Sequence, residues 1–279
     1  MLLGETISTG TILSFVVVLL ISIVIPIGCY LYFRRQHQMR LMPIIIGVVA
    51  FSLFVLVLER FFEVEALIDA DGNIPLLQQP VLHMLFIGFS AGVFHETARY
   101  VGFLLLKKQY SGVGTALAYG IGHGSIAAFL MAGAPMITNL RYAYLFNTGG
   151  MTAVLQTVSE AQHEQVTEYI RSMLGGPSST LLWAGIDCVM LVVIHIALSV
   201  VVWHAVNGNG NGKKRRMLYP IAIFLQAISR FPAALAQTGV LTSTVLAEAL
   251  TLVTVAISVF AAWKIHKSAE EHPSSLLSL

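Results

Sequence analysis

Apolar residues along this chain fall in long unbroken runs rather than in alternation or in a narrow helical stripe. Reading for stretches of about 20 gives seven, at roughly 11–33, 41–58, 80–106, 113–134, 181–203, 217–238 and 242–263. A helix rising about 1.5 Å per residue needs about 20 residues to cross hydrocarbon about 30 Å thick, so each run predicts a membrane span. The third run is long enough to tilt or to extend past the bilayer. The stretch 135–150 is semi-apolar and reads as a re-entrant or interfacial piece, or as an eighth span. The expected fold is an all-α, polytopic transmembrane helix bundle forming one integral membrane domain over 1–279. Within it, 135–180 reads as an outer loop carrying an amphipathic helix, 207–216 as a flexible basic loop and 268–279 as a C-terminal tail.

Composition agrees with this class. Hydrophobic residues make up 56% and charged residues only 11%, against about 25% charged in a soluble domain. Eleven of the 16 Lys and Arg (Arg34, Arg35, Arg40, Lys107, Lys108, Lys213, Lys214, Arg215, Arg216, Lys264, Lys267) follow the odd-numbered runs. By the positive-inside tendency this predicts an outer N-terminus and a cytoplasmic C-terminus, in what reads as a bacterial cytoplasmic membrane. Arg60, Arg141 and Arg171 fall on the other side, with the acidic stretch Glu59, Glu63, Glu65, Asp69 and Asp71. The first run lacks a basic leader and a small-residue cleavage pattern, so it is expected to stay in the mature protein. Cys29 and Cys188 both lie in apolar runs and imply no disulfide framework.

Two polar stretches read as structural. Asn207-Gly208-Asn209-Gly210-Asn211-Gly212 has no helix propensity and reads as a linker, and the basic tetrad after it as a topology anchor. From Ser159 to Leu174 the pattern predicts an outer amphipathic helix with Ser159 as N-cap, ended by Gly175-Gly176-Pro177. His163-Glu164 resembles the start of a zinc-protease helix motif, but Thr167 stands where the second histidine is needed.

The candidate chemistry lies inside the spans. Phe94-His95-Glu96-Thr97-Ala98-Arg99-Tyr100 puts three ionisable side chains in two helical turns. A charge near the bilayer centre costs about 2.5–3.5 kcal/mol on insertion scales, so such residues face a protein interior and mark function. Measured from the cytoplasmic end of each span, Glu96 lies roughly 16 Å deep, Arg99 roughly 12 Å, His123 roughly 15 Å and His195 roughly 12 Å. Gln226 and Arg230 fall at roughly 13 and 20 Å, and Asp187 at roughly 24 Å. Groups from four spans thus share a layer. Glu96 and Arg99 can share a helix surface, as can His95 and Arg99, and the glycines of Gly120-Ile121-Gly122-His123-Gly124 let a neighbouring backbone approach. A carboxylate withdrawn from bulk water can take a proton from water near neutral pH, while imidazoles orient that water or stabilise an oxyanion. His95, turned about 100° from Glu96, is the lesser candidate.

Phe94–Tyr100, Gly120–Gly124, His195-Ile196-Ala197-Leu198-Ser199 and Phe231-Pro232-Ala233-Ala234-Leu235 resemble, in order and spacing, the YhfC family of bacterial membrane proteins. That family is regarded as related to the CAAX-type intramembrane proteases, and the match extends to the second span around Gly47 to Glu59. The resemblance implies an intramembrane endopeptidase in which a glutamate activates water, followed by an arginine and by histidines on later helices. By position, Glu96 matches the second glutamate of a pair, Arg99 the arginine, His123 the middle histidine and His195 the histidine of the fifth span. Several positions depart from the pattern. His95 occupies the first glutamate, Ala127 a further glutamate, and Asp187 stands where a glutamate is expected. Gln226 and Arg230 replace a histidine and an acidic residue in the sixth span.

The sequence requires no cofactor. Zinc is the metal to consider, with Glu96, His123 and His195, or His95, His123 and His195, as three ligands and water as the fourth; spacing does not choose between them. An ion pair from Arg230 to Glu96 would weaken that carboxylate as a base. Three readings stand: a protease acting on a membrane-anchored peptide or protein from the cytoplasmic half of the bilayer, a silent relative serving as a partner-binding scaffold, and a small-solute or proton-coupled transporter. The hydropathy pattern has no internal repeat of the kind many transporters show. The bilayer and a membrane-anchored polypeptide are the expected partners, and nucleic acid is not.

Overall fold

The computed structural model describes residues 5–69, 72–176, 179–207 and 212–271. Among these, eight helices carry the chain: α1 (Thr9–His37), α2 (Leu41–Leu67), α3 (Pro80–Leu106), α4 (Val113–Leu155), α5 (His163–Leu174), α6 (Ser179–Asn207), α7 (Gly212–Gln237) and α8 (Thr244–Glu271). No strand occurs among the described residues. All but α5 are long and apolar enough to cross a membrane, which makes seven candidate spans among the described residues. Large apolar side chains stay exposed along them, among them Leu20, Val24, Phe61, Leu105 and Phe260. Such a surface suits lipid, while His95, Glu96, Arg99, His123 and His195 are fully or almost fully buried. The protein is an integral membrane protein.

The chain divides into two compact units. One comprises Met1–Ile25 and Ala128–Val189. Here the stretch 135–150 neither re-enters nor forms an eighth span. It continues α4, after a π-helical turn at Phe129–Gly133, to Leu155, with a kink at Gly150 whose φ is 69°. Good helix formers such as Met136, Leu140 and Ala143 let the helix run on where hydropathy falters. Asn147 accepts a hydrogen bond from the Ile7 amide (2.8 Å) and donates one to the Ile7 carbonyl (3.0 Å), which holds the chain ahead of α1. Beyond Leu155, Ser159 and Gln162 form a capping box before α5, which buries Val166, Ile170 and Met173 on one face. The Tyr169 hydroxyl donates to Asn139 Oδ1 (2.7 Å), tying α5 to α4.

The other unit comprises Pro26–Ala127 and Met190–Leu279. Its backbone is the antiparallel pair α3 and α7. His83 Nε2 meets Gln237 Oε1 at 2.9 Å near one end, and Thr97 Oγ1 meets the Tyr219 hydroxyl at 2.8 Å further along. Between them Gly88 and Gly92 lie against Phe231, Ala227 and Ile223 so closely that a Cβ would collide. Small residues at such a face let dispersion contacts hold helices together where lipid offers no hydrophobic drive. Met190, Ile194 and Leu198 of α6 pack with Leu225 of α7 and Val255 of α8. Helix α7 begins at Gly212, so the basic tetrad expected in a flexible loop forms the helix's first turns; Lys and Arg are good helix formers where the Asn-Gly repeat is not. Residues 208–211 of that loop lie outside the described residues. Helix α8 extends into the expected tail as far as Glu271, with i,i+4 pairs His266–Glu270 (3.4 Å) and Lys267–Glu271 (3.6 Å). Residues 272–279 are outside the described residues.

Candidate metal centre

Every residue of the site belongs to the second unit. Helix α4 is gripped from two sides by way of its alternate glycines. A Cβ on Gly120 would fall 2.6 Å from Ile196 Cα and 3.0 Å from the His195 carbonyl oxygen, and one on Gly124 would fall 3.1 Å from Val192 Cα. Gly122, about 200° around the helix from each of them, faces the Ile44 backbone of α2, and Gly47 of α2 returns the contact against Tyr119 and His123. His123 is thereby carried between α2 and α6. On α3, Gly102 accepts the Tyr119 ring, whose hydroxyl donates to the Ala98 carbonyl at 2.8 Å. These close approaches draw α2, α3, α4 and α6 together around three imidazoles.

His95, His123 and His195 offer ring nitrogens that all lie within 4.8 Å of one another. His95 Nδ1 is 3.1 Å from His123 Nε2. The rings of His95 and His195 stack, with centroids 5.2 Å apart and planes 7° from parallel, and His123 meets His195 edge-on at 4.9 Å. Phe51 closes one side, edge-on to His95 at 5.6 Å and to His123 at 5.0 Å. His123 Nδ1 and His195 Nε2 find no hydrogen-bond partner among the described residues.

Two carboxylates attend the cluster differently. Glu96 pairs with Arg99 on the same helix, both fully buried, and its Oε2 has no hydrogen-bond partner among the described residues. Arg99 also donates to His195 Nδ1 through Nη2 and to Ser199 Oγ through Nε (3.2 Å), and Ser199 Oγ donates to the His195 carbonyl (2.7 Å). Arg99 thus stands between Glu96 and the imidazoles. Glu59 of α2 faces them directly, its Oε2 3.6 Å from His95 Nε2, and is almost fully buried.

The second span carries Glu59 into this position through a π-helical stretch, Ser52–Glu59. In an uninterrupted α-helix, at about 100° per residue, Glu59 would lie about 120° around the axis from Gly47. The wider π turn, with hydrogen bonds from i to i+5, takes rotation out of each residue. Gly47, Phe51, Val55 and Glu59 consequently share the buried face.

Of the residues singled out in the sequence, His123 and His195 meet in the cluster, with His95 as the third member in place of Glu96. Arg230 lies within electrostatic range of Glu59, Glu63 and His95, while the charge acting on Glu96 is that of Arg99. Gln226 is buried and turned to Ser229 (3.5 Å). Ala127 is a buried position in α4. Asp187 belongs to the first unit. Glu59 is the residue that the apolar pattern obscures, because the unbroken run stops at Leu58. The resumption of apolar residues at Phe61, Phe62, Val64 and Leu67 is the signal that would have placed it inside the span.

The donor set suits a transition metal such as zinc. Three neutral imidazoles leave a fourth position for water, and a carboxylate beside one of them matches the carboxylate–histidine arrangement that orients metal ligands.

A family model described as YhfC intramembrane metalloprotease matches residues 21–251. The uncharacterized membrane protein YhfC of Bacillus subtilis (strain 168) is 28% identical over 241 residues, covering 86% of this chain and 90% of that protein. No solved structure shows a significant match.

Proposed function

Since the chain belongs to the YhfC intramembrane metalloprotease family, we propose that it hydrolyses peptide bonds of membrane-anchored polypeptides at a metal centre built on His95, His123 and His195. The convergence of these three buried imidazoles within 4.8 Å carries the reading. His95, His123 and His195 would hold a zinc ion, which would supply Lewis acidity toward a peptide carbonyl and toward water.

The chain's own groups do the rest. Glu59 places its carboxylate 3.6 Å from His95 Nε2, an ion-pair distance that favours a proton on that nitrogen and leaves Nδ1 for the centre. Glu96, held through one oxygen by Arg99, keeps Oε2 open as an acceptor for the proton of the attacking water. Arg99 is a cation placed to stabilise negative charge developing on the substrate carbonyl oxygen. Burial of the whole group excludes bulk water, which strengthens each of these interactions. The basic residues after α1, α3 and α6 favour a cytoplasmic C-terminus, which would put the centre in the cytoplasmic half of the bilayer.

The test is zinc analysis of the purified protein beside comparison of membrane peptides from cells carrying the wild type or His123→Gln. The expected outcome is about one zinc per chain, lost in the variant, together with uncleaved membrane polypeptides that accumulate only in the variant. A folded wild type with zinc at background level and an unchanged peptide set would overturn the reading. The ion pair on Glu96 favours a second reading, a partner-binding relative that does not cleave; a zinc-loaded wild type that leaves the peptide set unchanged would support it.

A further inference from the structure

On the reading of His95, His123 and His195 as a metal centre, we propose that Arg99 is a latch on that centre: it must withdraw from His195 before the third ligand can bind. A guanidinium has donors and no acceptor. Its contact with His195 Nδ1 therefore engages the lone pair of that nitrogen, and the proton of the neutral ring sits on Nε2. A ligating nitrogen must present a free lone pair. Whichever nitrogen of His195 faces the other two rings, one is occupied by Arg99 and the other carries hydrogen.

The other two histidines meet no such obstacle. His95 Nε2 lies 3.6 Å from the Glu59 carboxylate, which favours a proton there over one on Nδ1. In the metal-free site the 3.1 Å contact between His95 Nδ1 and His123 Nε2 is a hydrogen bond, so one of the two carries a proton; that proton can move to His95 Nε2 or His123 Nδ1, neither of which is engaged by a cation as His195 is, and both facing nitrogens are then free to ligate. The site is thus set for two ligands and blocked at the third.

Arg99 has somewhere to go. Its Nη1 is bound to Glu96 Oε1, and Glu96 Oε2 has no hydrogen-bond partner among the described residues. A small rotation of the guanidinium about the Glu96 Oε1 contact would release His195 while the ion pair stays, leaving Oε2 open. The two arrangements share the Glu96 contact and differ in whether His195 is held or released. Ser199 Oγ, bound to Arg99 Nε at 3.2 Å, marks the held position.

Zinc affinity of the metal-free protein in detergent micelles, measured by competition with a chromophoric chelator, tests the latch. The double variant Glu96→Gln with Arg99→Gln leaves no unpaired charge and takes the donor away from His195 Nδ1. It is expected to bind zinc roughly ten- to hundred-fold more tightly than the wild type, the scale of one charge-assisted hydrogen bond. Equal affinity in the two proteins would overturn the latch and leave the metal centre standing. No zinc binding by either would overturn the metal centre itself. Independently of the variant's folding, 15N-histidine spectra of the metal-free wild type, assigned through His195→Gln, should show His195 protonated at Nε2 and bare at Nδ1. The opposite tautomer would refute the latch.

Discussion

Arg99→Met would remove a cation from full burial and leave the carboxylate it faces without its partner. Three contacts go at once: the ion pair to Glu96 and the hydrogen bonds to His195 Nδ1 and Ser199 Oγ. Ser199 keeps its bond to the His195 carbonyl, so most of the cost falls on Glu96, whose second oxygen has no hydrogen-bond partner among the described residues. Breaking a buried pair from one side costs about 3–5 kcal/mol. Glu96→Met with Arg99→Met removes both charges at similar volume, which is often close to neutral. What remains is the exposed acceptor on His195, a cost of about 1–3 kcal/mol. That cost is common to both variants and cancels, so the double variant should be more stable than Arg99→Met by about 3–5 kcal/mol, although it carries one more substitution. Reversible unfolding in mixed detergent micelles, followed by circular dichroism, measures the difference. If the single and double variants unfold together, Glu96 does not depend on Arg99 and the pair is not the electrostatic anchor of the site.

Glu59→Gln keeps the size of the side chain and removes the charge beside His95; zinc affinity should fall about 10- to 100-fold with little change in unfolding. An unchanged affinity would remove Glu59 from the centre. Gly122→Ala sets a Cβ against the Ile44 backbone, 2.8 Å from its carbonyl carbon and 2.9 Å from its Cα, and backbone cannot swing aside. It should cost about 1–3 kcal/mol in the same unfolding assay, whereas Gly28→Ala, with nothing within 4 Å of the new Cβ, should be tolerated.

How far the site could be read from the sequence varies residue by residue. His123 and His195 were legible because each is a polar group inside an apolar run at similar depth, and burial of such groups in hydrocarbon demands a partner. Between the neighbours His95 and Glu96 as third ligand the sequence does not choose. They differ in direction by about 100°, and only the seating of α3 against α7 and Tyr119, through Gly88, Gly92 and Gly102, turns His95 toward the other rings. Glu59 was hidden by a rotation of another kind, since the π-helical turn that brings it onto the buried face leaves no mark in the pattern of apolar residues.

The seven apolar spans and the membrane setting follow from the sequence alone, because transfer from water to lipid is nearly additive over about 20 local residues and needs no knowledge of neighbours, whereas the part played by 135–150 does not. Which side chains touch is decided by the tertiary structure. Depth along a helix fixes height, but contact also requires the rotation of each helix and the closeness of its neighbour, and here both are set by glycine seats on α2, α3 and α4 far apart in the chain.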